Sequence, residues 1–148
     1  MNIRPIVRSD WEAWLPLWRG YNAFYERSAA EDVTRTTFAR FFDAYEPVHA
    51  LVADAGDGRL TGLVHYLFHR NTSLLGPVTY LQDLFTSEAA RGQGVGRALI
   101  EGVYGAARAA GSPRVYWLTH ETNARAIALY DQVAERSGFI QYRKPIEA

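Results

Sequence analysis

The stretch Leu84–Gly111, "LFTSEAARGQGVGRALIEGVYGAARAAG", decides how the rest of the chain is read. It opens as a strand, breaks into small and charged residues, and continues as a long helical pattern. Val95, Ala98, Leu99, Gly102, Val103, Ala106 and Ala107 recur at the three-and-four spacing of an amphipathic helix. Several of these are small, so the helix can lie close to a sheet. Gly92, Gly94 and Gly96 sit at the junction. The first turn of a helix presents unpaired backbone amides that attract anions, and glycine admits a ligand near the main chain. Arg91-Gly92-Gln93-Gly94-Val95-Gly96 therefore reads as a cradle for a diphosphate, with Arg91 and Arg97 adding positive charge. The same letters also fit a flexible turn beside a closely packed helix. The Walker pattern is excluded, because no lysine follows the glycines, and the dinucleotide fingerprint is not present in its usual spacing.

Outward from this junction the chain reads as a mixed α/β domain. Ile3–Val7 is a first strand. "SDWEAWLPLWRGYNAFY" is a helix that Ser9 or Asp10 can cap and that Pro16 and Gly20 can bend or divide. "TRTTFARFFDAY" is a second helix. The aromatics of both segments read mainly as core or subunit contact, with an acceptor pocket as the functional alternative. "VHALVADAGDGRLTGLVHYLFHR" reads as two strands around a turn at Asp54–Arg59, and "GPVTYLQDLFT" as a further strand. "RVYWLTH" is the next strand and "TNARAIALYDQVAER" the next helix. Gly138 can end that helix before "FIQYR" returns as strand. With no repeat or linker in view, residues 1–148 read as a single domain.

Composition narrows the partners. Lys plus Arg and Asp plus Glu balance at 16 each. No long block of either sign appears, so duplex nucleic acid and an anionic membrane are not expected partners. Cysteine is absent, which removes disulfides and thiolate catalysis. No apolar run reaches the length of a membrane span or a signal sequence, so a cytoplasmic protein is expected. His49, His65 and His69 form no metal-binding spacing and read as strand or surface residues; no metal is expected.

The ordered elements resemble those of the GCN5-related N-acetyltransferase (GNAT) family, closest to its Hpa2-type members, which are associated with histone or polyamine-like amines. Arg91, Gly94 and Gly96 match the family's glycine motif, with "YLQDLFT" as the strand before it. "THETNARAIALYDQVAERSGF" matches the second motif. The resemblance implies a mixed, splayed central sheet flanked by helices, and acetyl-CoA as cosubstrate. It implies that the diphosphate lies over Arg91, Gly92, Gln93, Gly94, Val95, Gly96 and Arg97. It implies that the pantetheine arm runs beside Leu84, Phe85 and Thr86, and that a backbone N–H near Leu84 or Phe85 faces the developing oxyanion. Tyr130 matches the family tyrosine that acts as general acid at the CoA sulfur. Asn123 matches a position that contacts pantetheine, although a helix cap is its other reading.

An amine that attacks a thioester directly needs a proton acceptor but no enzyme nucleophile. Asp83, Glu121 and His120 are the candidate proton acceptors. Polyamine-acetylating relatives resemble "LED" where this chain has Leu81-Gln82-Asp83, and Gln82 is no base. The expected acceptor is a small amine or polyamine, with a protein lysine or N-terminus as the enzymatic alternative. A non-catalytic CoA binder is the reading from another class. A homodimer is expected.

Overall fold

The computed structural model describes all 148 residues. They fall into two compact units, Met1–Leu118 and Thr119–Ala148.

The first unit holds β1 (Asn2–Pro5), α1 (Trp11–Phe24), α2 (Glu31–Arg40), β2 (Val48–Asp54), β3 (Leu60–His69), β4 (Val78–Thr86), α3 (Val95–Ala109) and β5 (Val115–Tyr116). The strands form one sheet in the order β1-β2-β3-β4-β5, antiparallel up to β4 and parallel between β4 and β5. Successive strand residues point to opposite faces. Ala50, Val52 and Leu63 accordingly join Trp14, Leu17, Trp18 and Phe38 of α1 and α2 in one buried cluster. The other face meets α3, where Gly62 lies against Val95 and Leu99. Val95, Leu99, Ile100, Val103 and Ala107 are the buried stripe of α3, at the spacing read from the sequence.

Pro16 does not divide α1, which runs unbroken through it. Nor does Gly20; a Cβ there would stand 2.9 Å from the Phe85 ring, so glycine serves close approach of α1 to β4. The second helix begins and ends earlier than its sequence pattern, at Glu31 and Arg40. Arg4 forks across Asp10 at 2.8 and 2.9 Å and also reaches Asp54 at 3.0 Å. Asp10 further accepts the Val7 amide at 2.8 Å, which fixes the entry into α1.

The second unit contains α4 (Ala124–Val133). Three expectations fail around it. The strand expected at Arg114–His120 is confined to Val115–Tyr116, because only Thr79 and Tyr80 of β4 pair with it. "FIQYR" has strand-like alternation but joins no ladder, and Phe139, Ile140 and Tyr142 are exposed. A strand exists only through a partner's hydrogen bonds, and alternation alone supplies none. Gly138 does not cap α4, which ends five residues earlier at Val133. No helix is long and apolar enough to cross a membrane.

The Arg4–Asp10 contact generates a pH prediction. The Arg4 hydrogen bond holds the Asp10 carboxyl below its usual range, against the opposing effect of burial. Its stabilising contribution is therefore complete above the unfolded value of about 3.9 and is lost as pH falls through the lower folded value. Asp10→Asn is expected to cost about 1.5–3 kcal/mol at neutral pH. Urea unfolding should show the gap to the parent chain narrowing below about pH 4; a gap independent of pH contradicts this.

Candidate active site

The site begins with an irregularity in β4. His65 stands opposite Asp83, but the next residue, Tyr66, stands opposite Leu81, so Gln82 is left over as a bulge. One extra residue reverses the facing of everything beyond it. Thr79 and Leu81 share the face of Tyr66, whereas Tyr80, Asp83 and Phe85 share the face of His65. In a regular strand Asp83 would lie with Leu81 and Thr79. The bulge instead turns its carboxylate toward α1.

There the carboxylate meets a prepared set of partners. Asp83 is 8% exposed and His65 1% exposed. His65 Nδ1 lies 2.9 Å from Asp83 Oδ2, and the Trp14 indole N–H donates to His65 Nε2 at 3.1 Å. An indole nitrogen can only donate, so Nε2 is the accepting nitrogen and the neutral ring carries its proton on Nδ1, donating to Asp83. The ring is enclosed by Trp14, Trp18 and Phe41 at centroid distances of 6.0, 5.5 and 4.8 Å. Tyr21 of α1 is turned toward the same carboxylate; burial first, and then the Asp83 charge and hydrogen bond, push its phenol pKa up. Tyr25 and Tyr80 are raised by burial and, more weakly, by Asp83. The carboxylate thus has the His65 imidazole as its direct partner, and its charge is felt by nearby phenols.

Asp83 also lies where the sheet opens. β5 pairs with β4 only at Thr79 and Tyr80, so from Leu81 to Thr86 the edge of β4 on that side has no strand partner. An unpaired edge can accept an extended molecule as an added strand. Leu84, Phe85 and Thr86 are all on this stretch and are half-buried. β4 then leads through a short turn to the glycine loop. Gly92 and Gly94 adopt φ of 80° and 79°, a left-handed conformation that strains other residues. Gly94 is the N-cap of α3 and contributes no capping side chain. The first intrahelical bond runs from Ala98 N–H to Gly94 C=O, so the Val95 and Gly96 amides have no acceptor within the helix. Arg91 lies over the Phe85 ring at 5.8 Å, and Gln93 donates to Ala89 C=O at 3.4 Å. The loop thus presents backbone donors and positive charge, a donor set that suits a diphosphate.

In the second unit Asn123 is the N-cap of α4 without a side-chain cap; its amide donates to Thr119 Oγ1 at 3.5 Å. Tyr130 is half-buried on α4, and Glu121 is exposed on the preceding turn. His120 Nδ1 is engaged locally by the Thr122 hydroxyl at 2.7 Å and amide at 3.2 Å.

The family follows from comparison with known proteins. The Acetyltransferase (GNAT) family matches residues 10–134. This chain belongs to the GNAT family. The D-amino-acid N-acetyltransferase HPA3 of Saccharomyces cerevisiae is 40% identical to it over 143 residues, 96% of this chain and 89% of the yeast protein. Among solved structures, a probable acetyltransferase superposes with a TM-score of 0.87 at 22% identity, covering 100% of this chain and 99% of that one. Aminoglycoside N-acetyltransferase AAC(6')-Iy, solved with CoA, gives 0.81 at 21% identity, covering 98% and 95%. The protein is an acetyl-CoA-dependent N-acetyltransferase with the GNAT fold.

Sequence reading of this GNAT chain singled out Asp83 but missed its partners Trp14, Tyr21 and His65. His65 was set aside for lack of a metal-like spacing. Its flanks, "GLVHYLF", hold the missed signal: a histidine in so apolar a strand is buried and must be paired. The tautomer is directly testable. Imidazole ¹⁵N resonances of His65 should show Nδ1 protonated and Nε2 bare, and Trp14→Phe should alter the Nε2 signal; a ring protonated at Nε2 alone contradicts the arrangement.

Proposed function

We propose that this chain transfers an acetyl group to a small primary amine, with Asp83 receiving the proton that the attacking amine gives up. The observation that carries the reading is the Asp83 carboxylate, turned by the Gln82 bulge onto His65 beside the unpaired edge of β4. Its position also suits the capture of a cationic ammonium before reaction. The yeast relative, named for D-amino-acid acetylation, supports an acceptor of small size. Polyamine belongs to the same class of acceptor and rests on the resemblance to Hpa2-type proteins. A protein lysine or N-terminus ranks below both, as does Glu121 as base, because that side chain stands exposed without a partner.

The thioester of acetyl-CoA supplies the activated acyl group. The Val95 and Gly96 amides, with Arg91 and Arg97, bind the diphosphate. Gly92 and Gly94 let the loop turn without side chains in the way, and Gln93 lines it. The free edge of β4 at Leu84–Thr86 orients the pantetheine arm, and an N–H at Leu84 or Phe85 donates to the carbonyl oxygen as negative charge gathers there. Asn123 contacts the arm. Tyr130 gives its proton to the departing sulfur. As the C–N bond forms and the C–S bond breaks, one proton goes to Asp83 and one comes from Tyr130, so charge balances without an enzyme nucleophile.

Thiol release with an amine panel, alongside calorimetric CoA binding, tests these roles. Asp83→Asn is expected to lower kcat/KM by about 10²–10⁴-fold, and Tyr130→Phe to lower kcat by about 10²-fold. CoA affinity should stay within about threefold of the parent in both, a change of under 1 kcal/mol. Full turnover in either variant removes that residue from its role, and loss of CoA binding in step with turnover reassigns it to binding.

A further inference from the structure

A histidine beside a carboxylate has two ways to serve it. It can pass an incoming proton onward through its far nitrogen, or it can stay neutral and only donate. The far nitrogen of His65 has no outlet. Nε2 accepts the Trp14 indole N–H at 3.1 Å, and an indole nitrogen never accepts. A second proton on the ring would set two N–H groups against each other. The ring is 1% exposed and walled by Trp14, Trp18 and Phe41, none of which takes a proton. Ala50 of β2 stands opposite it. The titratable groups beyond Asp83 are the phenols of Tyr21 and Tyr25 on α1 and of Tyr80 on β4, whose pKa burial pushes up. Arg27 lies over the first two of these rings, at 5.5 and 5.2 Å.

His65 and Asp83 stand directly opposite each other on β3 and β4, where the Gln82 bulge shifts the register. The Nδ1–H donated to Asp83 Oδ2 at 2.9 Å aims the carboxylate from the neighbouring strand. With the ring neutral, the pair carries one negative charge. A doubly protonated ring would bring the pair to zero, and the site would lose its pull on an ammonium group. We propose that Trp14 and His65 are positioning residues for the acetyl transfer: the indole bars a second proton from the imidazole, so that Asp83 keeps its charge and alone receives the amine's proton. This rests on the role proposed above for Asp83 and adds the device that protects it. As the nitrogen attacks the thioester, its proton becomes the O–H of Asp83, and His65 keeps its Nδ1 proton throughout. Asp83, the more exposed of the two at 8%, then returns the proton to water. The pair is a fixed donor and a base, not a two-step relay.

The test uses the full chain with acetyl-CoA and whichever of ethanolamine, benzylamine, alanine and spermidine the parent acetylates fastest. Each variant's kcat/KM is read as a ratio to the parent at the same pH, which cancels the ionisation of the amine. Trp14→Phe frees His65 to charge. Its ratio should fall about tenfold between about pH 8 and about pH 5.5, as an ordinary imidazole of pKa about 6.5 takes up its proton. Adding His65→Asn to Trp14→Phe should flatten that ratio, because the asparagine amide still donates but cannot be charged. His65→Asn alone should keep more than about a tenth of the parental kcat, whereas His65→Leu should lose roughly 10- to 100-fold at every pH, the worth of a hydrogen bond to a charged group. Calorimetric CoA binding checks that each variant is folded. A Trp14→Phe ratio that is the same at every pH makes the indole a packing residue and overturns the proposal. His65→Asn as inactive as Asp83→Asn makes the imidazole a proton carrier and overturns it equally, and this result decides should Trp14→Phe fail to bind CoA. Full turnover by Asp83→Asn, or no transfer to any of the four amines, defeats the proposed base and this inference together.

Discussion

A carboxylate cannot be enclosed in a protein core unless donors meet it, and the first unit is organised around one such group. Asp83 sits on a central strand among aromatic rings, with His65 as its direct partner at 2.9 Å. That pairing depends on Trp14 from α1, which fixes the proton on the other nitrogen of the ring. It also depends on the bulge at Gln82, without which the side chain would face α3. Removing one partner from such a set costs more than the single bond, because the remaining groups are left buried and unpaired. The aromatic content of α1 and α2 is thereby explained twice. Trp14, Trp18 and Phe41 fill the core, and the same rings exclude water from the His65–Asp83 contact.

The second organising feature is the opening of the sheet. β4 is fully paired with β3 on one side, yet has a partner on the other side only at Thr79 and Tyr80. The bulge and the opening occur within three residues of each other. An unsatisfied backbone edge, a buried anion and the glycine-led start of α3 consequently follow one another along Leu81–Gly96. All three lie on one continuous stretch of chain, which the proposed acyl transfer uses for the extended arm, the proton and the phosphates.

The parts legible in the sequence were those written in local periodicity. The strand–glycine–helix junction at Leu84–Gly111 stands as read, because helical spacing and positive-φ glycines are local signals. The antiparallel hairpin of β2 and β3 was equally clear. The bulge was not, since nothing in "YLQDLF" marks Gln82 as the extra residue; its existence depends on register with β3. The role of His65 was hidden for the same reason, as its partners lie 51 residues before it and 18 after it in sequence. "FIQYR" shows the converse error, in which correct alternation met no partner edge.

The account turns on where the acceptor's nitrogen is held. A crystal structure of the protein with CoA and a small primary amine measures this directly. The account predicts the amino nitrogen at hydrogen-bonding distance from Asp83, about 3 Å directly or through one water. An amino nitrogen held by other groups, with Asp83 screened from it by Tyr21 and His65, would contradict it.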